Sequence, residues 1–327
     1  MRKEPYIQYL TKRNFSEDQI NKSINEVELL EKFVSKDNFT LETVTFDEIE
    51  KYVDYLIENK LNSTSTLVAL ARYFYSINQQ DIYLFFAYLL GGAGVYDNIE
   101  KRVKDIAGEK ISNSIFNDLK IPSSGSSPRK YVPVTQELMR RMKTNLNKNE
   151  YKKALVGNNH QIPKESFEEE KELFFKIGNI DKYLKDHHNR AVETLKKHCK
   201  EGKIWFEQKI TPEVVDFVSQ NQELLSGIRD GEYIYITKIP YKPDQYLKET
   251  DEKKKRFLAC HCPLAREGII SEENPVDYEW CYCSAGFEKF MFDVIFDEET
   301  EVEVLESALK GDLKCRFAIK IPDKYLK

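Results

Sequence analysis

Apolar residues recur every third or fourth position through the first 120 residues, and every second position in several short stretches near the end of the chain. The first pattern predicts amphipathic helices and the second predicts half-buried strands. Ser16 with Gln19 reads as a capping box, and behind it Ile20, Ile24, Val27, Leu30 and Val34 form one stripe. Thr45 with Glu48 opens the next helix, whose stripe is Ile49, Tyr52, Val53 and Leu56. A third carries Leu67, Leu70, Ala71 and Phe74, and a fourth carries Ile82, Phe85, Phe86 and Leu89 before stopping at Gly91-Gly92. Two more follow, Tyr96 to Ala107 and Glu109 to Leu119.

The stretch 121–135 (IPSSGSSPRKYVPVT) lacks any period and is rich in Ser, Pro and Gly, so it reads as a linker between a helical bundle (1–120) and a second domain (136–327). Helical spacing returns over Gln136 to Leu146, Lys164 to Phe175 and Ile180 to about Lys200, and Pro212 opens a helix over Glu213 to Leu224. Alternation then takes over. Glu232 to Ile239 after an Asp230-Gly231 turn, Phe290 to Phe296, Glu301 to Leu305 and Cys315 to Ile321 read as strands, with Asp297 to Thr300 joining the second and third as a hairpin. The expected class is α+β: a helical N-terminal domain followed by an α/β domain with an antiparallel sheet.

Composition narrows the function classes. A net charge of −5 over 327 residues gives no global basic field, which argues against nucleic acid and anionic membrane as partners. The longest apolar run, Ile82 to Leu90, is too short to span a bilayer, and the N-terminus has no secretory h-region, so a soluble cytoplasmic protein is expected. Six cysteines in a reducing compartment point to metal or thiol chemistry before disulfides.

The densest chemistry is Cys260-His261-Cys262 and Cys281-Tyr282-Cys283. On extended backbone each pair points two sulfurs to one face, and two such pairs on neighbouring segments supply the four soft ligands of tetrahedral zinc. Cys315 is placed to join them; His261 is a ligand only if its segment is a loop. Two other readings stand beside zinc. Buried thiols are common core residues, which suits Cys315 well and four cysteines in two C-x-C pairs poorly. A thiol nucleophile at Cys260, Cys262 or Cys283, activated by His261, would make the domain a hydrolase. Trp280 beside Cys281 is a core aromatic or the wall of an aromatic-ligand pocket. Asn159 and His160, in the polar loop Gly157-Asn158-Asn159-His160, are turn chemistry or ligand contacts. His187, His188 and His198 lie on one predicted helix without the spacing of a metal pair.

The stretch Cys281 to Ile321 resembles the end of 4-vinyl reductase domains: a Cys before a Gly-aromatic step, a hairpin, a glutamate, Gly311-Asp312 and a final Cys-x-Phe. The resemblance covers about 40 residues. It implies an α/β domain that binds small apolar or aromatic molecules and holds zinc, a family in which some members sense phenols for transcription factors. Cys283 (or Cys281) and Cys315 match ligand positions, and Glu306 or Glu303 matches the acidic one more loosely. Ser307 stands in place of the family's middle cysteine, a gap that Cys260 or Cys262 would have to fill. The ending GDLKCRF is also similar to the aminothiazoline carboxylate hydrolase family, which implies an enzyme. With GNNHQIP and CHCPLARE, the whole chain looks like a bacterial family without an assigned role. Tyr9 to Tyr75 resembles the core-binding helices of tyrosine recombinases, which clamp DNA, but the catalytic Arg, His and Tyr pattern is not recognisable downstream. The leading expectation is a small-molecule-binding, sensor-like protein with a structural zinc site and a helical partner domain. A cysteine- or zinc-dependent hydrolase and a DNA-associated protein are the alternatives.

Overall fold

The structure, a computed structural model, describes residues 1–271 and 275–326. The class is α+β, with a helical N-terminal region and small antiparallel sheets. Packing divides the chain into two compact units, Met1–Ala93 with Ile121–Tyr131, and Gly94–Lys120 with Val132–Lys327. The sequence reading grouped 94–120 with the N-terminal bundle and treated 121–135 as a linker; by packing, the former lies in the second unit and 121–131 in the first.

The first unit contains α1 (Lys3–Thr11), α2 (Glu17–Val34), α3 (Phe46–Glu58), α4 (Thr64–Ser76) and α5 (Gln80–Leu90). Ser16 caps α2 with a complete capping box, and the side chains of Thr45 and Ser63 accept the N3 amides of α3 and α4. The expected stripes meet in one core: Val27, Leu30, Ile49, Leu67, Leu70, Phe74 and Phe86 are all wholly buried. Each contributes about 1.5–3 kcal/mol of transfer free energy relative to exposure. Tyr6 joins them because its hydroxyl donates to the Ala69 carbonyl at 2.7 Å, so burial leaves no polar atom unpaired. The segment 121–131 lies against α3 and α4. Gly125, at φ +86°, comes so close that a Cβ there would sit 3.0 Å from Leu67 Cδ1 and 3.2 Å from Val53 Cγ1. Asn62 Nδ2 donates to the Ser124 carbonyl at 2.7 Å.

By length and composition alone, Gln80–Ala107 would suffice to cross a membrane. Its regular helix is broken at 91–94, where Gly94 takes φ +75°, and the second part carries Asp97, Glu100, Lys101, Arg102 and Lys104. The uncharged apolar stretch is thus about half of the roughly 20 residues that a span requires.

The second unit opens with α6 (Val95–Ala107), α7 (Glu109–Phe116), α8 (Val132–Asn145), α9 (Lys148–Leu155), α10 (Glu168–Ile177) and α11 (Ile180–Glu201). A two-stranded hairpin, β1 (Ile204–Trp205) and β2 (Gln208–Lys209), precedes α12 (Pro212–Ser219), which Thr211 caps with Pro212 in its first turn. Next come β3 (Ile228–Asp230), β4 (Tyr233–Thr237), α13 (Pro243–Tyr246), α14 (Glu252–Ala259) and α15 (Glu267–Ile270). The chain ends with α16 (Tyr282–Phe296), β5 (Val302–Glu306) and β6 (Arg316–Lys320). The main sheet is antiparallel in the order β3-β4-β6-β5, with Ile236 opposite Phe317 and Val302 opposite Ile319. The expected turn at Asp230-Gly231 joins β3 to β4, and Gly231 sits at φ +57°.

One expected strand is a helix. Phe290 to Phe296 forms the last two turns of α16, and Asp297, at φ +54°, ends that helix instead of turning a hairpin. The helix packs against α9, α10 and β5 and is buried nearly all round, so it carries no one-sided stripe to betray its period. Asp293, whose polarity produced the apparent alternation, is an internal partner. It pairs with the fully buried Lys289 one turn earlier and accepts the Thr300 amide at 2.8 Å and hydroxyl at 2.7 Å.

Candidate functional site

The helical course of 282–296 changes the cysteine geometry. Residues two apart on a helix point about 200° apart, so Cys281 and Cys283 diverge. Cys281 interacts with Cys315, Cys260, Cys262 and the Ser307 hydroxyl, whereas Cys283 interacts with Cys262 and the Asn159 side chain. The five sulfurs expected to gather are therefore electrostatic neighbours, with Cys262 common to both sides. All six cysteines are free thiols. Burial raises the pKa of Cys260, Cys262, Cys281, Cys283 and Cys315, so the resting cluster is uncharged.

Among the described residues, no three His, Cys, Asp or Glu side chains are grouped so as to hold a metal ion. The other candidate donors are engaged elsewhere. His261 Nε2 donates to the Ile239 carbonyl at 2.6 Å and its ring packs on Tyr241. Glu303 accepts Tyr282 Oη at 2.8 Å and pairs with Lys152, and Glu306 pairs with Lys314 at 3.3 Å. Ser307 organises the turn ahead of β6, where its Oγ accepts the Lys310 amide at 3.1 Å. Among the described residues these donors do not meet around one point as tetrahedral zinc requires.

The loop 157–162 is held by its own polar groups. Asn158 Oδ1 accepts the Ile162 amide at 2.9 Å, and Asn159 Nδ2 donates to the Leu155 carbonyl at 2.7 Å, closing the end of α9. Asn98, on α6, donates to the Asn159 carbonyl at 2.9 Å. The polar pattern is thus turn chemistry, and it has a second effect: it aims His160 at α16, with Nε2 3.8 Å from Cys283 Sγ. Two glycines allow the approach. A Cβ on Gly286 would stand 2.4 Å from the Val156 carbonyl oxygen, and one on Gly157 would run into the Arg102 guanidinium at 2.1 Å. Arg102 in turn donates to the Lys153 carbonyl at 2.9 Å and pairs with Glu299.

The sequence reading missed the charged centre. Lys238 follows β4, with its amide bonded to the Cys315 carbonyl at 3.0 Å and its ammonium 3.0 Å from Glu288. Burial works against this charge, but the Glu288 carboxylate outweighs it and the ammonium pKa lies above its ordinary value. The Lys238 charge also acts on Glu207, His160, His261, Cys262, Cys283 and Cys315. Period-two spacing could have found it, because Ile234, Ile236 and Lys238 fall on one strand face and the first two are buried. Glu207 arrives from the tip of the β1–β2 hairpin, beside Phe206, which is held at φ +50° and is 72% exposed. Burial raises the Glu207 pKa, against the pull of a Tyr241 hydrogen bond and the Arg266 and Lys238 charges. Arg266 is buried, with its guanidinium 4.2 Å from the Tyr241 ring centre.

Rings complete the surroundings. Phe287 lies 4.7 Å under the Lys238 ammonium and edge-on to His160, and it is 41% exposed, so solvent reaches this side. Trp280 is buried and donates its Nε1 to Cys262 Sγ at 3.3 Å. It is a wall of the thiol group and does not face solvent. Burial, and then Lys238, lowers the His160 pKa to about 4, so the imidazole is neutral near pH 7.

A family model described as "Family of unknown function (DUF6144)" matches residues 241–326. That is about a quarter of the chain; it includes the five clustered cysteines and leaves out Asn159, His160, Glu207 and Lys238. No curated protein and no solved structure matches the chain.

Proposed function

We propose that the second unit binds a small organic anion with an aromatic or unsaturated body, beside Lys238 and Phe287. The observation that carries this reading is the convergence of Lys238, Glu288, Glu207, Arg266, His160 and His261 beside the half-open Phe287 ring. A few convergent polar groups with perturbed pKa values, set among rings, are the usual make-up of a small-molecule site. The sign of the ligand follows from the charges. Lys238 is a cation beside the Phe287 ring, both histidines are held toward the neutral form, and the Glu207 carboxyl is pushed toward neutrality. The free thiols support a reducing compartment such as the cytoplasm as the place of action.

Titration calorimetry with 4-hydroxybenzoate and with phenol tests the reading. The wild type should bind the carboxylate at least tenfold more tightly, a difference of about 1.4 kcal/mol. Lys238→Met alone would strand the Glu288 charge, so the informative variant is K238M/E288L, which replaces a pair with apolar side chains. It should lose the preference for the anion. Absence of saturable heat with either compound at millimolar concentration sinks the reading.

A further inference from the structure

We propose that Cys283, with His160 as its base, is the nucleophile of a hydrolytic acyl transfer on a small ester, thioester or amide. The proposal shares the neighbourhood of Lys238 with the binding reading but rests on its own geometry. Cys283 occupies the first turn of α16, where oriented backbone amides favour negative charge. His160 Nε2 stands 3.8 Å from its sulfur, a distance typical of a resting pair that tightens when substrate binds. A third polar side chain attends them. Asn159 is wholly buried and keeps its Oδ1 without a hydrogen-bond partner; burial raises the Cys283 pKa, and Lys238 and Asn159 oppose that rise. Orphaned acceptors inside proteins are rare and mark places where a ligand or water completes the bonding.

The pair is built, not incidental. Residue 286 is glycine where any side chain would strike the backbone that carries His160, and the loop's internal hydrogen bonds fix the imidazole's approach. Of the two imidazoles near the cysteines, His261 is spent on the Ile239 carbonyl, whereas the His160 ring nitrogen facing the sulfur has the thiol as its partner. In the tautomer protonated at Nδ1, that nitrogen is the acceptor. Lys238, which donates to Ser284 Oγ at 3.4 Å one residue along the helix, places a positive charge where an oxyanion would form.

The reaction balances with water as the second substrate. Cys283 Sγ attacks the acyl carbon as its proton passes to His160 Nε2, and the carbonyl π pair moves to oxygen. The tetrahedral adduct collapses, the bond to the alcohol, thiol or amine breaks, and that leaving group takes the proton from His160. Water then adds to the thioester while His160 accepts its proton. Collapse releases the carboxylic acid, and the proton returns to the Cys283 sulfur. The net change is one acyl bond hydrolysed, with no oxidant or reductant.

The test uses the full chain carrying Cys199→Ser, which removes a half-exposed thiol that packs on the Val192, Leu195 and Val214 cluster. 4-Nitrophenyl acetate is the probe; it is uncharged, so acylation can succeed even if the anion-binding reading fails, and the reverse holds for the calorimetry. The expected result is a burst of 4-nitrophenolate with one acetyl group per chain, mapped by peptide mass to Cys283. Cys283→Ser should slow the burst at least about 100-fold, and His160→Gln by about 100-fold or more. Folding of both variants is checked by their thermal unfolding midpoints. Should Cys283→Ser unfold, limited alkylation of the parent with iodoacetamide replaces it: modification of Cys283 ahead of Cys262 supports the proposal. Acetyl or alkyl label on Cys262 or a lysine instead, or an unchanged burst in folded Cys283→Ser, overturns it.

Discussion

Gly286→Ala is expected to destabilise the second unit by about 2 kcal/mol, although the same change on an open helix would stabilise it. Helix propensity favours alanine over glycine by about 1 kcal/mol at an interior position. Here the added methyl would lie 2.4 Å from the Val156 carbonyl oxygen and 2.8 Å from that of Gly157. Both obstacles are backbone, so no rotamer change relieves the clash; overpacking of this kind costs about 1–3 kcal/mol and often more when the main chain must move. The two effects have opposite signs, and the clash is the larger. A lower urea midpoint of the Trp280 fluorescence transition is the expected outcome. The loop must also withdraw, carrying His160 from Cys283, so acetylation should fall even in the folded fraction. An unchanged or raised midpoint would mean that helix and loop do not meet as described.

A second large effect is expected on acidification. His160, His187 and His261 are all pushed toward the neutral form by burial, which the Lys238 charge reinforces at His160 and His261 and which Glu170 opposes at His187. The sign follows from proton binding. With a folded pKa near 4 and an unfolded value near 6.5, His160 binds a proton in the unfolded chain first. Above about pH 6.5 it contributes nothing to the pH dependence; between 6.5 and 4 stability falls as pH falls, by up to about 3 kcal/mol for this group. The depressed carboxylates Glu223, Glu279 and Glu303 add their loss lower down, below their ordinary range. Glu207 works the other way, because its raised pKa makes the fold more tolerant of acid. The interval from pH 6.5 to 5 therefore belongs chiefly to the histidines. Urea midpoints should drop across it, and His160→Gln should flatten the drop. A level midpoint from pH 7.5 to 5 would refute the assignment.

The legible parts of this fold are those with one wet face and one dry face. Stripes such as Val27, Leu30 and Val34, and caps such as Ser16, follow from short-range spacing, as do β4 and β6. What spacing could not convey is α16. It is buried nearly all round, so no one-sided stripe marks its period, and Asp293 inside the apolar run 290–296 is the partner of Lys289 one turn earlier. The same helix decides the site. Cys281 and Cys283 share a face only on extended backbone; a helix separates them, and only Cys283 meets His160. The chemistry-bearing residues were found by type, but the pairing of Cys283 with His160 bridges 123 positions and rests on a glycine contact that composition does not encode.

The path of the chain between the packing units has a genetic corollary. Residues 94–120 lie in the second unit while 121–131 return to the first, where Gly125 seats against Leu67 and Val53. Neither unit is thus encoded by one uninterrupted reading-frame segment. A gene truncated after codon 120 yields a bundle that lacks its strap yet drags along helices stripped of their neighbours. A start placed at codon 132 deprives the other half of those same helices. Shuffling of this architecture by recombination requires several breakpoints in concert, so the two units are expected to be inherited together.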